Sequence, residues 1–172
     1  PAPDPPAYAA EVLARELRER GVLVLGSRSG PAPVDAPVLA TIDSPPMREV
    51  VEQLLVESDN NTAELLTKEL GLERSGAGTS AAGTEAIEAI LAEEGLDTAS
   101  VEVADGSGLA GEDVVTCSLV GDVLEHEPTA ETLELSLPVG GESGTLVARF
   151  TEPEIVGRVR AKTGTLNSVT AL

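Results

Sequence analysis

Apolar residues recur at helical spacing along much of the chain. The pattern is clearest after Ser44-Pro45-Pro46, where the apolar face consists of Met47, Val50, Val51, Leu54 and Leu55. Proline suits the first turn of a helix, because the N–H that it lacks would have no partner inside the helix there. We predict six helices, at residues 8–20, 44–57, 63–70, 84–94, 116–125 and 128–137, with Gly21, Gly71 and Gly95 directly after three of them.

Short apolar runs bounded by turn residues predict strands at residues 22–25, 38–42, 101–104 and 156–166. In the last of these, the alternation of side chains along a strand would place Arg158, Arg160 and Lys162 on one face. Gly164 lacks a side chain where another group can approach the backbone. This basic face is either a dock for an anionic group such as a carboxylate, or the charged side of an edge strand that discourages pairing.

Composition narrows the class of protein. The 172 residues are 41% hydrophobic, which suits a folded domain, and Tyr8 and Phe150 are the sole aromatic residues, so aliphatic side chains must build the core. The formal charge of −19 disfavours nucleic acid and anionic membranes as partners, because both repel an acidic protein. No apolar run reaches the length of a transmembrane helix, and the sequence contains no signal peptide.

Both ends of the sequence indicate that it is part of a longer chain. Residues 1–7 are rich in proline and resemble a linker, and residues 169–172 read as the start of the second strand of a hairpin. We therefore expect residues 8–172 to belong to one domain that is incomplete at both ends.

The single cysteine and the single histidine favour structural interpretations. Cys117 cannot form an internal disulfide, and its neighbours suggest a small apolar residue on a helix. His126 lies between Glu125 and Glu127 near a predicted helix end, where pairing with acids is the ordinary interpretation. We therefore expect no metal ion and no catalytic triad built on histidine.

Three short motifs carry candidate chemistry. Ser58-Asp59-Asn60 lies between two predicted helices, where a hydroxyl and a carboxamide can face a cleft, although the same residue types are common at helix starts. Asp105-Gly106-Ser107-Gly108 by itself is typical of a turn, and Lys162-Thr163-Gly164 by itself is a common tripeptide. Taken singly, each motif favours a structural role.

Taken together, the motifs resemble a known family. A Ser-x-Asn element followed by a Lys-Thr-Gly strand is two of the three parts of the signature of penicillin-binding proteins and class A β-lactamases. The sequence is most similar to the D-alanyl-D-alanine carboxypeptidase/endopeptidase family of class C low-molecular-mass penicillin-binding proteins, the S13 serine peptidases. The residues that carry this similarity are Asp105-Gly106-Ser107-Gly108-Leu109, Leu137-Pro138-Val139-Gly140-Gly141-Glu142-Ser143-Gly144-Thr145-Leu146 and Arg149-Phe150.

The resemblance implies an acyl-serine enzyme that acts on peptidoglycan stem peptides ending in D-Ala-D-Ala and that binds β-lactams, without a metal or an organic cofactor. It implies that Ser58 transfers a proton between the nucleophile and the leaving amine. Asn60 would hold the substrate amide, and Lys162 would set the electrostatics of the cleft. Asp105 and Ser107 would shape the cleft and take no part in the chemistry.

The Lys-Thr-Gly strand would bind the end of the substrate. The resemblance implies that the hydroxyls of Thr163 and Thr165, on either side of Gly164, receive the terminal carboxylate. The backbone N–H of Thr165 would form half of the oxyanion hole, and such a donor is typically worth roughly 3 kcal/mol of activation barrier.

The resemblance also implies an architecture and a location. We expect an α/β fold of the α+β type, with a β-lactamase/transpeptidase-like antiparallel sheet flanked by helices, in a protein of the periplasm or cell envelope. The sequence leaves open the oligomeric state, the side chain of the stem peptide, and the balance between carboxypeptidase and endopeptidase activity.

The sequence departs from the family at the nucleophile. The family serine lies in a Ser-x-x-Lys motif, whereas Leu65 and Val159 stand three residues before the two lysines of this chain. We therefore expect the nucleophile upstream of Pro1, and this chain alone to be inactive. One alternative is a non-catalytic peptidoglycan-binding homologue that has lost the serine.

Two further alternatives come from other classes of protein. A class A β-lactamase needs a deacylating glutamate shortly before a Leu-Asn pair, and no asparagine lies between Asn61 and Asn167. We therefore expect a penicillin target that deacylates slowly and not a penicillin-destroying enzyme. The remaining alternative is an acidic α/β domain in which the short motifs occur by chance.

Overall fold

A computed structural model of the chain describes residues 4–27, 30–31, 33–127, 129–167 and 169–171. Within these residues the helices are α1 (Pro5–Glu19), α2 (Met47–Glu57), α3 (Asn60–Ser75), α4 (Ser80–Glu93), α5 (Cys117–Glu125) and α6 (Ala130–Ser136). A 3₁₀ turn covers Gly144–Leu146, and the strands are β1 (Gly164–Thr165) and β2 (Thr170–Ala171). None of the helices described is both long enough and apolar enough to cross a bilayer. The predicted α/β class is confirmed as a mostly helical fold with a small antiparallel sheet.

The chain divides into two compact units, Pro1–Asp43 and Ser44–Leu172. In the first, Asp4 caps α1 by accepting a hydrogen bond from the N–H of Ala7 at 3.0 Å. The strands predicted at 22–25 and 38–42 do not form: the described residues there have no pairing partner. Those predictions were wrong because an apolar run becomes a strand only where a neighbour can satisfy its backbone N–H and C=O groups.

In the second unit, α3 and α4 pack against each other through glycine. The prediction that Gly71 ends the helix was wrong: Gly71 lies buried inside α3, and a Cβ there would come within 2.7 Å of the backbone nitrogen of Gly83. The helix instead ends at Gly76, which has the left-handed conformation (φ 77°), and Thr79 caps α4. Gly83 in turn lies against the backbone of Thr67, so both glycines are there for close packing.

The later helices agree with their predicted positions. Thr116 caps α5 by accepting a hydrogen bond from the N–H of Leu119 at 3.1 Å, and Cys117, its first residue, is exposed. α6 lies within the predicted 128–137, although Pro128 falls outside the described residues. His126 pairs with an acid as predicted, but its partner is Glu94 at the end of α4, with Nε2 and Oε2 3.1 Å apart.

The strands of the second unit are shorter than predicted. Residues 101–104 contribute a single antiparallel bridge between Glu102 and Val114. Residues 153–158 form turns, with Gly157 at φ +75°, so Arg158 does not belong to an extended face. A bridge joins Val139 to Arg160, and only Gly164–Thr165 pairs as a strand, antiparallel to Thr170–Ala171.

We predict that Gly83→Ala destabilises the protein. Alanine in a helix is ordinarily about 1 kcal/mol more stable than glycine, but here the added Cβ would overlap the backbone of Thr67. Overpacking of this kind typically costs about 1–3 kcal/mol. The matched control is Gly121→Ala in α5, where no atom lies within 4 Å of the added Cβ. Urea denaturation should show a lower free energy of unfolding for Gly83→Ala, and an equal or higher one for Gly121→Ala. Equal stability of the two variants would contradict the close-packing argument.

Candidate active site

The predicted site residues come together around one cavity of about 330 Å³. Its lining comes from three separate parts of the second unit: residues 58 and 60 at the junction of α2 and α3, residues 107–109, and residues 162–166 with 169 and 171. Of the predicted residues, Ser58, Asn60, Ser107, Lys162, Thr163, Gly164 and Thr165 line the cavity, and Asp105 does not. The folding of the chain therefore joins motifs that are as much as 104 residues apart.

Lys162 links two sides of this cavity. Its Nζ donates hydrogen bonds to Oγ of Ser58 at 2.8 Å and to the carbonyl oxygen of Thr163 at 2.6 Å. The side chain is half-buried, and this burial lowers the pKa of Lys162, because removal from water disfavours its charged form. Because the Ser58 oxygen accepts the hydrogen bond from Lys162, the Ser58 O–H remains free to donate to a third group.

The backbone holds Ser58 in a fixed position. Ser58 ends α2 in the left-handed conformation (φ 56°, ψ 49°), and its N–H donates to the carbonyl oxygen of Leu54. Asp59 then caps α3 by accepting from the N–H of Asn61 at 2.9 Å and from the hydroxyl of Thr62 at 2.7 Å. The hydroxyl of Thr62, followed by its N–H, holds the pKa of Asp59 below its ordinary value. The Ser58 hydroxyl thus lies at the C-terminal end of α2, where the helix dipole favours the Lys162 cation.

Asp105 builds the loop whose residues 107–109 line part of the cavity. Its carboxylate accepts hydrogen bonds from four consecutive N–H groups, those of Ser107 (2.9 Å), Gly108 (2.6 Å), Leu109 (3.1 Å) and Ala110 (2.7 Å). Burial opposes ionisation of Asp105, but these hydrogen bonds outweigh it and hold the pKa of Asp105 below its ordinary value. The geometry therefore gives Asp105 a part in shaping the loop.

Two residues to which the sequence analysis gave no role hydrogen-bond to residues in or next to the cavity lining. Oε1 of Glu64 on α3 accepts from the N–H groups of Gly106 and Ser107, both at 3.0 Å. Thr145 in the 3₁₀ turn accepts a hydrogen bond from the hydroxyl of Thr163 at 2.9 Å. Helical spacing could have indicated Glu64, because it stands one turn after Asn60 on the same face, whereas no local pattern indicates Thr145.

The basic face predicted from sequence does not form as a unit. Lys162 lines the cavity with Ser58, but Arg160 lines a different cavity and donates to the carbonyl oxygen of Glu134 at 3.1 Å. Lys162 is therefore the one charged residue among the described residues that line the candidate site. In the described part of the chain, no group of three or more His, Cys, Asp or Glu side chains is placed to hold a metal ion.

The cavity combines groups suited to a peptide terminus. The ammonium of Lys162 attracts anions, and the hydroxyl of Thr165 can donate to a carboxylate. The hydroxyl of Thr163 donates to Thr145 in this structure, so it must rotate before it can donate to a carboxylate. The carboxamide of Asn60 can both donate to and accept from an amide. The Ser58 hydroxyl, in contact with the ammonium, can pass a proton between neighbouring groups.

Comparison with known proteins gives a consistent result. A sequence profile of the D-Ala-D-Ala carboxypeptidase 3 (S13) family matches residues 2–172. The chain is 39% identical over 181 residues to a D-alanyl-D-alanine carboxypeptidase of Actinomadura sp., covering 98% of this chain and 34% of that protein. It is 32% identical over 170 residues to the D-alanyl-D-alanine carboxypeptidase DacB of Haemophilus influenzae, covering 95% of this chain and 36% of that protein.

A solved structure agrees with these relatives. The crystal structure of penicillin binding protein 4 (dacB) from Haemophilus influenzae matches with a TM-score of 0.76 at 29% identity, over 95% of this chain and 38% of that one. The same protein complexed with a novel β-lactam gives a TM-score of 0.75. The chain thus spans little more than a third of the length of the relatives that it matches.

We predict that, because Lys162 is half-buried, its contribution to the free energy of unfolding rises with pH in the alkaline range. The pKa of Lys162 is lowered in the folded protein, so in the range just below the ordinary lysine value of about 10.4 the unfolded chain binds more protons than the folded one. Linkage then requires the contribution of Lys162 to the free energy of unfolding to rise with pH in this range.

The measurement is the difference in the free energy of unfolding between the wild type and Lys162→Met, obtained by urea denaturation at about pH 8 and about pH 10. We expect this difference to move in favour of the wild type at the higher pH. Other titrating groups are common to both proteins and cancel. A difference that stays constant or moves in favour of the variant would contradict the burial argument.

Proposed function

The chain belongs to the D-Ala-D-Ala carboxypeptidase 3 (S13) family, and on that premise we propose that residues 8–172 are the C-terminal part of a penicillin-binding, transpeptidase-like domain. The complete protein is then a serine-type D-Ala-D-Ala carboxypeptidase or endopeptidase, which cleaves peptidoglycan stem peptides through an acyl-serine intermediate and binds β-lactams. Such a substrate places it outside the cytoplasmic membrane, in the periplasm or cell envelope.

One observation carries this proposal. The hydrogen bond from Nζ of Lys162 to Oγ of Ser58 joins the Ser-x-Asn and Lys-Thr-Gly motifs across the cavity. An acidic chain of formal charge −19 repels anions in general, yet the one charge among the described residues of this cavity is positive. The local field therefore favours a carboxylate there, as the end of a D-Ala-D-Ala peptide requires.

The reaction assigns each cavity residue a role. A serine from a segment outside residues 1–172 attacks the carbonyl carbon of the penultimate D-Ala, and the peptide C–N bond breaks. Ser58 passes the serine proton to the leaving amine, and Lys162 keeps the Ser58 hydroxyl oriented for this transfer. Water then hydrolyses the acyl-serine ester and releases the shortened peptide.

Substrate binding falls to the other cavity residues. The carboxamide of Asn60 holds the substrate amide, and the hydroxyls of Thr163 and Thr165, on either side of Gly164, receive the terminal carboxylate. To do so, the Thr163 hydroxyl exchanges its hydrogen bond to Thr145 for one to the substrate. The N–H of Thr165 contributes to the oxyanion hole, where one donor is typically worth roughly 3 kcal/mol of barrier. Ser107 and the loop that Asp105 holds form the facing wall.

The test is to incubate the full-length gene product with a labelled penicillin and to locate the adduct by mass spectrometry. We expect a long-lived adduct on the serine of a Ser-x-x-Lys motif outside residues 1–172, and none on this chain alone, because the chain contains no such motif. Absence of an adduct on the folded full-length protein would favour the alternative of a non-catalytic peptidoglycan-binding homologue. Rapid turnover of the penicillin would favour a β-lactamase-like hydrolase.

We further predict that Asn60→Ala in the full-length protein weakens peptide cleavage and that Asn61→Ala does not. Both asparagines are exposed and begin α3, so helix propensity and position are matched, but only Asn60 lines the cavity. Loss of hydrogen bonds to the substrate amide should lower kcat/KM for a D-Ala-D-Ala peptide by about tenfold or more. Equal kcat/KM values for the two variants would remove Asn60 from the proposed site.

A further inference from the structure

Glu64 joins two walls of the cavity without lining it. Glu64 stands one helical turn after Asn60 on α3, and its Oε1 accepts hydrogen bonds from the backbone N–H groups of Gly106 and Ser107, both at 3.0 Å. The side chain is half-buried and does not line the cavity. Asn60 and Ser107 both line the cavity and come from different segments, so this carboxylate connects the α3 part of the lining to the part formed by residues 107–109.

The loop that Glu64 holds is a preformed unit. Asp105 satisfies the N–H groups of residues 107–110 from within the loop, and Asp113 accepts from the N–H of Ala104 at 2.7 Å on its upstream side. Neither of these carboxylates lies on α3. Among the described residues, every hydrogen bond between residues 105–110 and α3 is accepted by Glu64. The internal shape of the loop therefore depends mainly on Asp105 and its attachment to α3 on Glu64, and the two carboxylates share the Ser107 N–H as a donor.

The docking face on α3 leaves little freedom in the position of the loop. Gly106 lies directly against the hydroxyl of Thr67 and the carbonyl oxygen of Ala63, so closely that no Cβ fits there. Asn60, Glu64 and Thr67 follow one another at helical spacing and so lie on one face of α3. On this face Asn60 lines the cavity, Glu64 accepts the two hydrogen bonds, and Thr67 packs against Gly106. Thr67 prevents the loop from moving closer, and Glu64 prevents it from moving away.

We propose that Glu64 is a positioning residue that sets the separation between Asn60 and the Ser107–Leu109 wall, and with it the fit of the substrate backbone. This inference rests on the function proposed above. Hydrogen bonds to an ionised acceptor are stronger than those between neutral groups, so one carboxylate with two donors holds the loop firmly. Loss of the bridge lets the wall shift, and a misplacement of about 1 Å in a catalytic cleft can reduce the rate by as much as about 100-fold.

The experiment compares variants of the full-length protein. Glu64→Ala removes both hydrogen bonds, Glu64→Gln keeps an oxygen that can accept them, and Glu69→Ala removes an exposed carboxylate from the same helix. The measurements are kcat and KM for a D-Ala-D-Ala peptide, the acylation rate constant with a labelled penicillin, the melting temperature, and hydrogen exchange of residues 104–110.

For Glu64→Ala we expect kcat/KM to fall about tenfold or more, mainly through KM, because the wall contacts the substrate and not the reacting atoms. Glu64→Gln should retain kcat/KM within about threefold of wild type, and Glu69→Ala should be unchanged. Exchange of the Gly106 amide should be faster in Glu64→Ala than in Glu64→Gln, whereas the Ser107 amide keeps its hydrogen bond to Asp105 in both variants. If Glu64→Ala does not fold, Glu64→Asp takes its place, since a side chain shorter by one methylene should also raise KM.

Three outcomes would overturn the inference. They are wild-type kinetics in Glu64→Ala, an equal loss in Glu64→Gln and Glu64→Ala, and unchanged amide exchange in residues 104–110. The exchange measurement does not depend on activity, so it decides the inference even if the wild type is neither acylated nor active. If the wild type is neither acylated nor active, the proposed function fails. If the wild type is acylated and Glu64→Ala has unchanged kinetics, only the proposed role of Glu64 is refuted, and the proposed function stands.

Discussion

The hydrogen bond between Lys162 and Ser58 is the contact on which the rest of the candidate site depends. It brings a half-buried cation to the C-terminal end of α2, where the helix dipole and the Ser58 hydroxyl offset part of the loss of hydration. α2 ends at Glu57, and the left-handed conformation of Ser58 together with the cap that Asp59 provides for α3 places the Ser58 hydroxyl where Lys162 can donate to it. A buried amine without such a partner would leave the cavity or lose its proton.

Local patterns identified most of the helices and most of the residues that line the candidate site. The caps at Asp59 and Thr116 and the apolar spacing of residues 47–55 are properties of neighbouring residues, so the sequence alone could predict them. All of the predicted site residues except Asp105 also line one cavity, although their catalytic roles remain predictions. Side chains that contact distant segments were missed: Glu64 accepts from backbone N–H groups 42 and 43 positions away, and the hydroxyl of Thr145 accepts from the hydroxyl of Thr163.

The wrong predictions share a physical cause: the structural role of a glycine, and the conformation of an apolar run, depend on the segment that packs or pairs against it. Gly71 looked like a helix end but is a packing site against the backbone of α4. Residues 22–25 and 38–42 looked like strands but lack partners among the described residues. Residues 156–158 looked extended, but Gly157 turns the chain beside Gly140, to which its N–H donates at 2.9 Å. Sequence periodicity describes one segment, whereas pairing and close approach are properties of two.

The distance along the chain between Ser58 and Lys162 also bears on the order in which the structure forms. The α3–α4 hairpin closes over a connection of four residues, from Gly76 to Thr79, so its contacts are local and can form early. The Ser58–Lys162 contact closes a loop of 104 residues, and the entropy of that closure must be spent before the contact gives any stability in return. We infer that the helical hairpin precedes the cleft during folding, and that a nascent chain acquires its scaffold well before its binding site.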